Sequence, residues 1–213
     1  MERGGKIMGI QTIDFFRFEV QLPSEEELRY LSYKTQLNKS LKTSLSKVSK
    51  EDLFIDLRCA IKTLNKLSSN FSLSHRVKSY QSCELKYNKN ISRGNSIKST
   101  FNDLLGIRLI VQEYPKNYPE YFRVVDMRNG KKYDDGYRGV HLYYQLDNYH
   151  YPIEIQLNTK EDRLFADWSH IYCYKRMPNE EILKLRYKFD TGKIKNEKDF
   201  VKEVRNYEKN NCS

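Results

Sequence analysis

The sequence predicts an α+β domain built on a mixed sheet, with helical segments before and after it. Three observations carry this. Apolar residues recur at helical spacing near both ends of the chain. The run GIRLIV, residues 106–111, is a short β-branched stretch suited to a buried strand. The segment DDGYRGVHLYYQLDNYHYPIEIQL, residues 134–157, alternates on both sides of Asp147-Asn148, as the arms of a hairpin do. Helices, then strands with intervening helices, then helices again is the order of an α+β domain.

In chain order, Pro23 followed by Ser24-Glu25-Glu26-Glu27 reads as a helix start. The Ser24 hydroxyl can accept from an orphan N–H while Glu27 reaches back in a capping box. From there to about Lys47 the chain is rich in lysine and serine, and reads as a helix or helix pair with a large wet face. Leu53, Leu57, Ile61 and Leu64 mark a helix over 51–67, which Ser68-Ser69-Asn70 ends. FSLSHRVK alternates weakly as a strand, and SYQSCELKYNK has helical spacing. Past Thr159 a helix places Leu164, Trp168, Ile171 and Tyr172 on one stripe, and charged helices follow over 179–189 and 196–209, separated by Thr191-Gly192. The chain thus divides into a helical N-terminal extension (1–50), a central domain (51–176) and a basic helical C-terminal segment (177–213).

Composition narrows the partners. The 213 residues carry 38 Lys+Arg against 28 Asp+Glu, a formal net charge of +10, which favours polyanions such as nucleotides, nucleic acid or acidic membranes. Aromatic residues make up 13% and include 17 tyrosines, which argues against disorder and offers bases a stacking surface. Cys59, Cys83, Cys173 and Cys212 lack the paired spacing of a zinc site or disulfide framework and read as free thiols. The N-terminal MERGGKIMGIQTIDFFRFEV has no apolar run of signal-peptide length, so a cytoplasmic protein without a membrane span is expected.

A two-residue turn at Asp147-Asn148 would pair Leu142 with Ile153, Val140 with Ile155 and Tyr144 with Tyr151. One face is then apolar, and the other sets His141 opposite Glu154 with Gln156 beside them. A slip of one residue would destroy this segregation. Glu154 on a polar strand face is an ordinary solvated residue unless a partner gives it a task. Asp103, ahead of the 106–111 strand, is the candidate partner, and two carboxylates beside a basic site suit a Mg²⁺ ion bridging phosphates. Otherwise Asp103 is a cap or turn residue. Arg76, Lys78, Ser82 and Lys86 form the basic site. Lys78, Ser82 and Lys86 are spaced four apart, so a helix would stack Ser82 and Lys86. A guanidinium fork, two ammonium groups and a hydroxyl suit a triphosphate, and a solvated basic helix face is the plainer reading.

Five motifs in order resemble a known family. R-x-K-x3-S-x3-K at 76–86, DLLGIRLI at 103–110, GYRGVHL at 136–142, EIQLNT at 154–159 and ADWSHIYCYK at 166–175 are similar to the synthetase domain of RelA/SpoT proteins, small single-domain type. The resemblance covers roughly residues 50–176, without the His-Asp hydrolase signature. It implies a five-stranded mixed sheet related to nucleotidyltransferases and transfer of the β,γ-pyrophosphate of ATP to a ribose 3′-hydroxyl. It implies that Arg76, Lys78, Ser82 and Lys86 hold ATP phosphates, with Arg108 near the donor. Asp103 would bind Mg²⁺, and Glu154 would assist the metal or remove the hydroxyl proton. Tyr137 would stack on the acceptor base, with His141 and Gln156 lining its pocket.

Within that family alarmone synthetases use GTP or GDP, and a toxic branch modifies the 3′-terminal adenosine of tRNA. Three positions depart from the common alarmone pattern: Asp135 stands for an asparagine, Gly139 for a serine and Asn158 for an arginine. With the lysines of 34–50 supplying phosphate contacts, tRNA is the narrowly favoured acceptor, Arg123 and Arg128 its candidate holders, and a neutralising antitoxin protein an implied partner. GTP or GDP is the alternative acceptor. A non-catalytic nucleotide- or RNA-binding module is a third reading, against which the retained carboxylates, basic quartet and tyrosine speak.

Overall fold

The computed structural model describes residues 21–211. The N-terminal MERGGKIMGIQTIDFFRFEV and Cys212 lie outside them, so the expectations about a leader and that thiol concern residues not described. The described residues form seven α-helices and five strands: α1 Glu25–Tyr30, α2 Lys50–Ser68, β1 His75–Val77, α3 Tyr80–Asn90, α4 Ile97–Thr100, β2 Leu105–Val111, β3 Phe122–Asp126, β4 Val140–Tyr144, β5 Ile153–Thr159, α5 Lys160–Tyr172, α6 Asn179–Asp190 and α7 Glu197–Asn211. One mixed sheet has the order β1-β2-β5-β4-β3. Only β2 and β5 are parallel; the other pairs run antiparallel.

The period of two separates the two sheet faces. Leu105, Ile107, Leu109 and Val111 of β2 and Ile153, Ile155 and Leu157 of β5 are buried against α2 and α3, which contribute Leu53, Leu57, Leu64, Cys83 and Tyr87 to the same core. The opposite face carries Gly106 and Arg108 beside Glu154 and Gln156. Cys59, Cys83 and Cys173 are free thiols. No described helix is long and apolar enough to cross a membrane.

The N-terminal extension is less helical than its lysine- and serine-rich sequence suggests. The capping box at Ser24 and Glu27 forms, but α1 ends at Tyr30, and residues 45–47 make only a single 3-10 turn. Burial explains this. Leu31, Tyr33 and Thr35 are buried while Ser32 and Lys34 between them are not, the period of an extended chain rather than of a helix. Asp56 of α2 clasps the irregular stretch, accepting hydrogen bonds from Tyr33 Oη (3.1 Å), Thr35 Oγ1 (2.7 Å), Gln36 N (2.8 Å) and Tyr151 Oη (2.8 Å). Four donors satisfy a carboxylate that is 2% exposed.

The hairpin pairs two residues away from the predicted register: Leu142 faces Ile155, Val140 faces Leu157, Tyr144 faces Ile153, and His141 faces Gln156. The reason is a longer loop. Asp147 Oδ1 accepts from Tyr149 N (2.7 Å) and His150 N (3.1 Å), an Asx turn that consumes residues a two-residue turn would leave in the strands. Because the displacement is even, every side chain keeps its face.

A second apolar cluster joins α5, α6 and α7 through Phe165, Trp168, Ile182, Leu185 and Phe200. The expected α5 stripe is rotated: Trp168 is buried, but Leu164 and Ile171 are 40% and 56% exposed, and Phe165 takes the inward position. Asp162 ties this cluster to the sheet. It accepts from Tyr114 Oη at 2.6 Å and from Arg186 Nη2 at 2.7 Å, while its N–H is capped by Thr159 Oγ1 at 3.1 Å.

Candidate active site

The polar sheet face brings most of the expected residues together. Glu154 is 6% exposed at the centre of it. Its Oε1 accepts from Tyr143 Oη at 2.8 Å and lies 3.1 Å from His141 Nδ1, and its Oε2 accepts from Gln156 Nε2 at 2.8 Å. Burial pushes the Glu154 carboxyl up, but His141, then Tyr143 and Gln156, outweigh it and hold the group down at about 2. Burial first, then the Glu154 charge, pushes the Tyr143 phenol well up, so it stays a donor.

A chain of polar groups runs on from His141. Asn158 Nδ2 donates to Tyr137 Oη at 3.1 Å, and Tyr137 Oη lies 2.9 Å from His141 Nε2. With Asn158 donating, the phenol's own proton is free for Nε2, which leaves the Nδ1 proton for Glu154. Gly139 is required by this packing: a Cβ there would lie 2.6 Å from Asn158 Nδ2 and 2.7 Å from Tyr137 Oη. Two of the departures noted in the sequence are thus one feature, in which the Asn158 amide lies where a side chain at 139 would project.

Tyr137 forms one wall of a cavity of about 390 Å³ shared with Lys131, Asp135, Phe165, His170 and Tyr174. Lys131 Nζ sits 4.6 Å from the Tyr137 ring centre and pairs with Asp135 at 2.9 Å, while the other Asp135 oxygen accepts from Tyr137 N at 3.2 Å. Gly136 introduces the tyrosine at φ +77°, and a Cβ there would lie 2.9 Å from Phe165 and 3.3 Å from Arg186 Cβ. That close approach and positive φ demand glycine.

The donor-side cations gather around Asp103. Lys78, 8% exposed, donates to Asp103 Oδ2 at 2.7 Å, and Lys86 donates to Oδ1 at 2.8 Å. Ser82 lies in the first turn of α3, its N–H capped by Ser79 Oγ and its hydroxyl 2.9 Å from that oxygen. Arg76 and Arg108 line a narrow cleft with Gly106, Glu154 and Gln156. Arg108 is held below its usual pKa, first by burial and then by Arg163. Arg163 of α5, which pairs with Asp167, and Tyr143 are site residues that the sequence reading missed. Tyr143 was findable, since strand parity puts it on the face of His141. Arg123 and Arg128 do not converge: Arg123 lies 4.3 Å over the Tyr143 ring, whereas Arg128 is held by Asp126 at 2.6 Å.

The donor chemistry fits Mg²⁺. Asp103 and Glu154 offer hard carboxylate oxygens, and the charges of both act on the Tyr143 phenol. Among the described residues no group of three His, Cys, Asp or Glu side chains is placed to hold a metal ion.

A buried glutamate beside two arginines, with a lysine pair around a nearby aspartate, has the charge pattern that suits nucleotide phosphates. Residues 75–179 match the family model described as "Region found in RelA / SpoT proteins". The matched region is 105 of the 213 residues, just under half of the chain, and over it the chain is similar to the RelA/SpoT family. No curated protein matches the chain. Among solved structures it is similar to small alarmone synthetase 1 from Bacillus subtilis (22% identity over 75% of this chain and 97% of that one, TM-score 0.42). It is also similar to small alarmone synthetase 2 from Bacillus subtilis (23%, 67% and 91%, 0.41). A GTP pyrophosphokinase family protein from Streptococcus pneumoniae matches at 21% identity over 76% and 88%, with a TM-score of 0.36.

Proposed function

We propose that the chain transfers the β,γ-pyrophosphate of ATP to a ribose 3′-hydroxyl positioned at Glu154. The observation that carries this is the buried glutamate held as an anion by three donors, near enough to the Lys78–Asp103–Lys86 group that the charges of Glu154 and Asp103 both act on Tyr143. Lys78, Lys86, Ser82 and Arg76 bind the ATP phosphates, with Arg108 beside them. The 3′-oxygen bonds to the β-phosphorus as the bond from that phosphorus to the α–β bridging oxygen breaks, releasing AMP. Attack at phosphorus needs in-line placement and charge neutralisation more than covalent help. Glu154 accepts the hydrogen bond of the 3′-hydroxyl, aims its oxygen and takes its proton as the bond to phosphorus forms. With the carboxyl at about 2, orientation and a fixed negative charge are its chief contributions, and its basicity rises when substrate displaces a donor. Asp103 and Glu154 would hold Mg²⁺, which when bound neutralises phosphate charge.

The favoured acceptor is the 3′-terminal adenosine of tRNA, its base on Tyr137. Pyrophosphorylation there would consume the hydroxyl needed for aminoacylation and block translation, the outcome expected of a toxin controlled by an antitoxin. Support comes from the linked Gly139 and Asn158 positions and from Lys98, on which the charges of Arg123 and Lys42 both act. GTP or GDP is the second reading: Asp135 departs from the asparagine of the alarmone pattern, yet its carboxylate can accept the paired N–H donors of a guanine edge. The test incubates the protein with γ-labelled ATP and GDP, GTP or deacylated tRNA. Label on the tRNA 3′ end is expected; label only on guanosine nucleotides overturns the acceptor, and no transfer overturns the reaction.

A further inference from the structure

A separate cavity of about 420 Å³ shares Tyr143 with the Glu154 site and is lined by Lys98, Ser99, Asn102, Arg123 and Gln145. Its charges differ in kind from those of the donor cluster. Lys78 and Lys86 are both neutralised by Asp103, whereas among the described residues neither Lys98 nor Arg123 has a carboxylate within ion-pairing distance. Lys98 is held below its ordinary pKa, first by burial and then by the positive charges of Arg123 and Lys42. Like charges gathered on a half-buried surface repel one another unless an anion arrives between them. The Asn102 amide adds a neutral donor at the rim.

Tyr143 measures the relation of this notch to the chemistry. Its hydroxyl donates to Glu154 at 2.8 Å, and the guanidinium of Arg123 lies 4.3 Å over the same ring. One phenol, comparable in length to a ribose, separates the catalytic carboxylate from the unpaired cations.

We propose that this notch is a phosphate subsite of the acceptor, taking the phosphate on the 5′-oxygen of the nucleoside whose 3′-hydroxyl meets Glu154. The inference rests on the pyrophosphate-transfer reading above. In a free nucleotide that phosphate is the terminal di- or triphosphate; in a polynucleotide it is the last phosphodiester. Lys98 and Arg123 pair with its oxygens, and Lys42 adds long-range charge.

The test uses the full chain with Lys98→Gln and, separately, Arg123→Gln, each checked for an unchanged thermal transition. Lys98→Gln removes a charge without touching Tyr143, so it stands even where loss of the Arg123 contact disturbs the sheet. Acceptor KM is measured for GDP, GTP and deacylated tRNA at saturating ATP, and ATP KM at saturating acceptor. A rise of about tenfold or more in acceptor KM with ATP KM unchanged is expected. For a tRNA acceptor, the slope of log affinity against log salt should also fall by about one per cation removed. The acceptor that loses affinity identifies the source of the phosphate. Unchanged acceptor KM in every arm, or an equal rise in ATP KM, overturns the proposal. Should the wild type transfer to no acceptor, the reaction fails separately. Equilibrium binding of GDP and tRNA then decides the subsite: weaker binding by Lys98→Gln supports it, and equal binding overturns it.

Discussion

His141 Nδ1 lies 3.1 Å from Glu154 although the strands set Gln156, not Glu154, opposite His141. The contact is diagonal across the β4–β5 ladder, within reach of a long side chain. It makes Glu154 the end of a line of donors that begins at Asn158.

Replacing Glu154 by Gln keeps the size and one hydrogen-bonding oxygen but removes the charge. Pyrophosphate transfer should fall by about 10²-fold or more, with ATP KM within about twofold of wild type. Steady-state kinetics with γ-labelled ATP checks this. Transfer at wild-type rate would remove Glu154 from the chemistry.

The same carboxyl makes an acid-stability prediction. Its folded value of about 2 lies below the ordinary 4.5, so its ionised state stabilises the fold at higher pH. That contribution is fully present above about pH 4.5 and is lost as pH falls toward 2, at a scale of about 3 kcal/mol for the full shift. Denaturant unfolding from pH 6 to pH 2 should show Glu154→Gln losing less stability over this window than wild type.

Asp56→Ala should be the more damaging change to stability. It leaves the hydroxyls of Tyr33, Thr35 and Tyr151 and the Gln36 N–H without their shared acceptor. A loss of about 3–5 kcal/mol is expected from thermal or urea unfolding. A loss below about 1 kcal/mol would mean that water replaces the clasp.

Gly139→Ala should disturb the acceptor half without unfolding the sheet. Its Cβ meets the Asn158 amide at 2.6 Å, so Asn158→Ala in the same chain should relieve part of the effect. A double-mutant cycle on acceptor KM should be non-additive by about 1 kcal/mol or more. Additive effects would show that the two positions act independently.

How much of this was legible differs from element to element. The buried strand at Leu105–Val111 and the helix at Lys50–Ser68 declare themselves by period alone. The faces of the hairpin were readable because parity survives any even change of register, whereas the register itself depends on Asp147 capping its own loop. Phe122–Asp126 escaped notice because it is an edge strand whose Arg123 and Val124 are both exposed, which erases the alternation. The Lys78 and Lys86 positions could be named from spacing, but their joint hold on Asp103 needed the fold, since 17 or more residues separate the partners. Lys98 carried no sequence signal, because one lysine among many gains meaning only from the missing counter-ion.

The backbone at Gly136 leans on Phe165 and Arg186, which belong to the helical cluster at the C-terminal end, while Glu154 is braced by its own sheet. The two supports meet at Tyr137, whose hydroxyl lies 2.9 Å from His141 Nε2. Loosening α6 and α7 would let Tyr137 carry its hydroxyl off the line that ends at Glu154, so whatever grips those helices would reach the carboxylate from outside its own sheet.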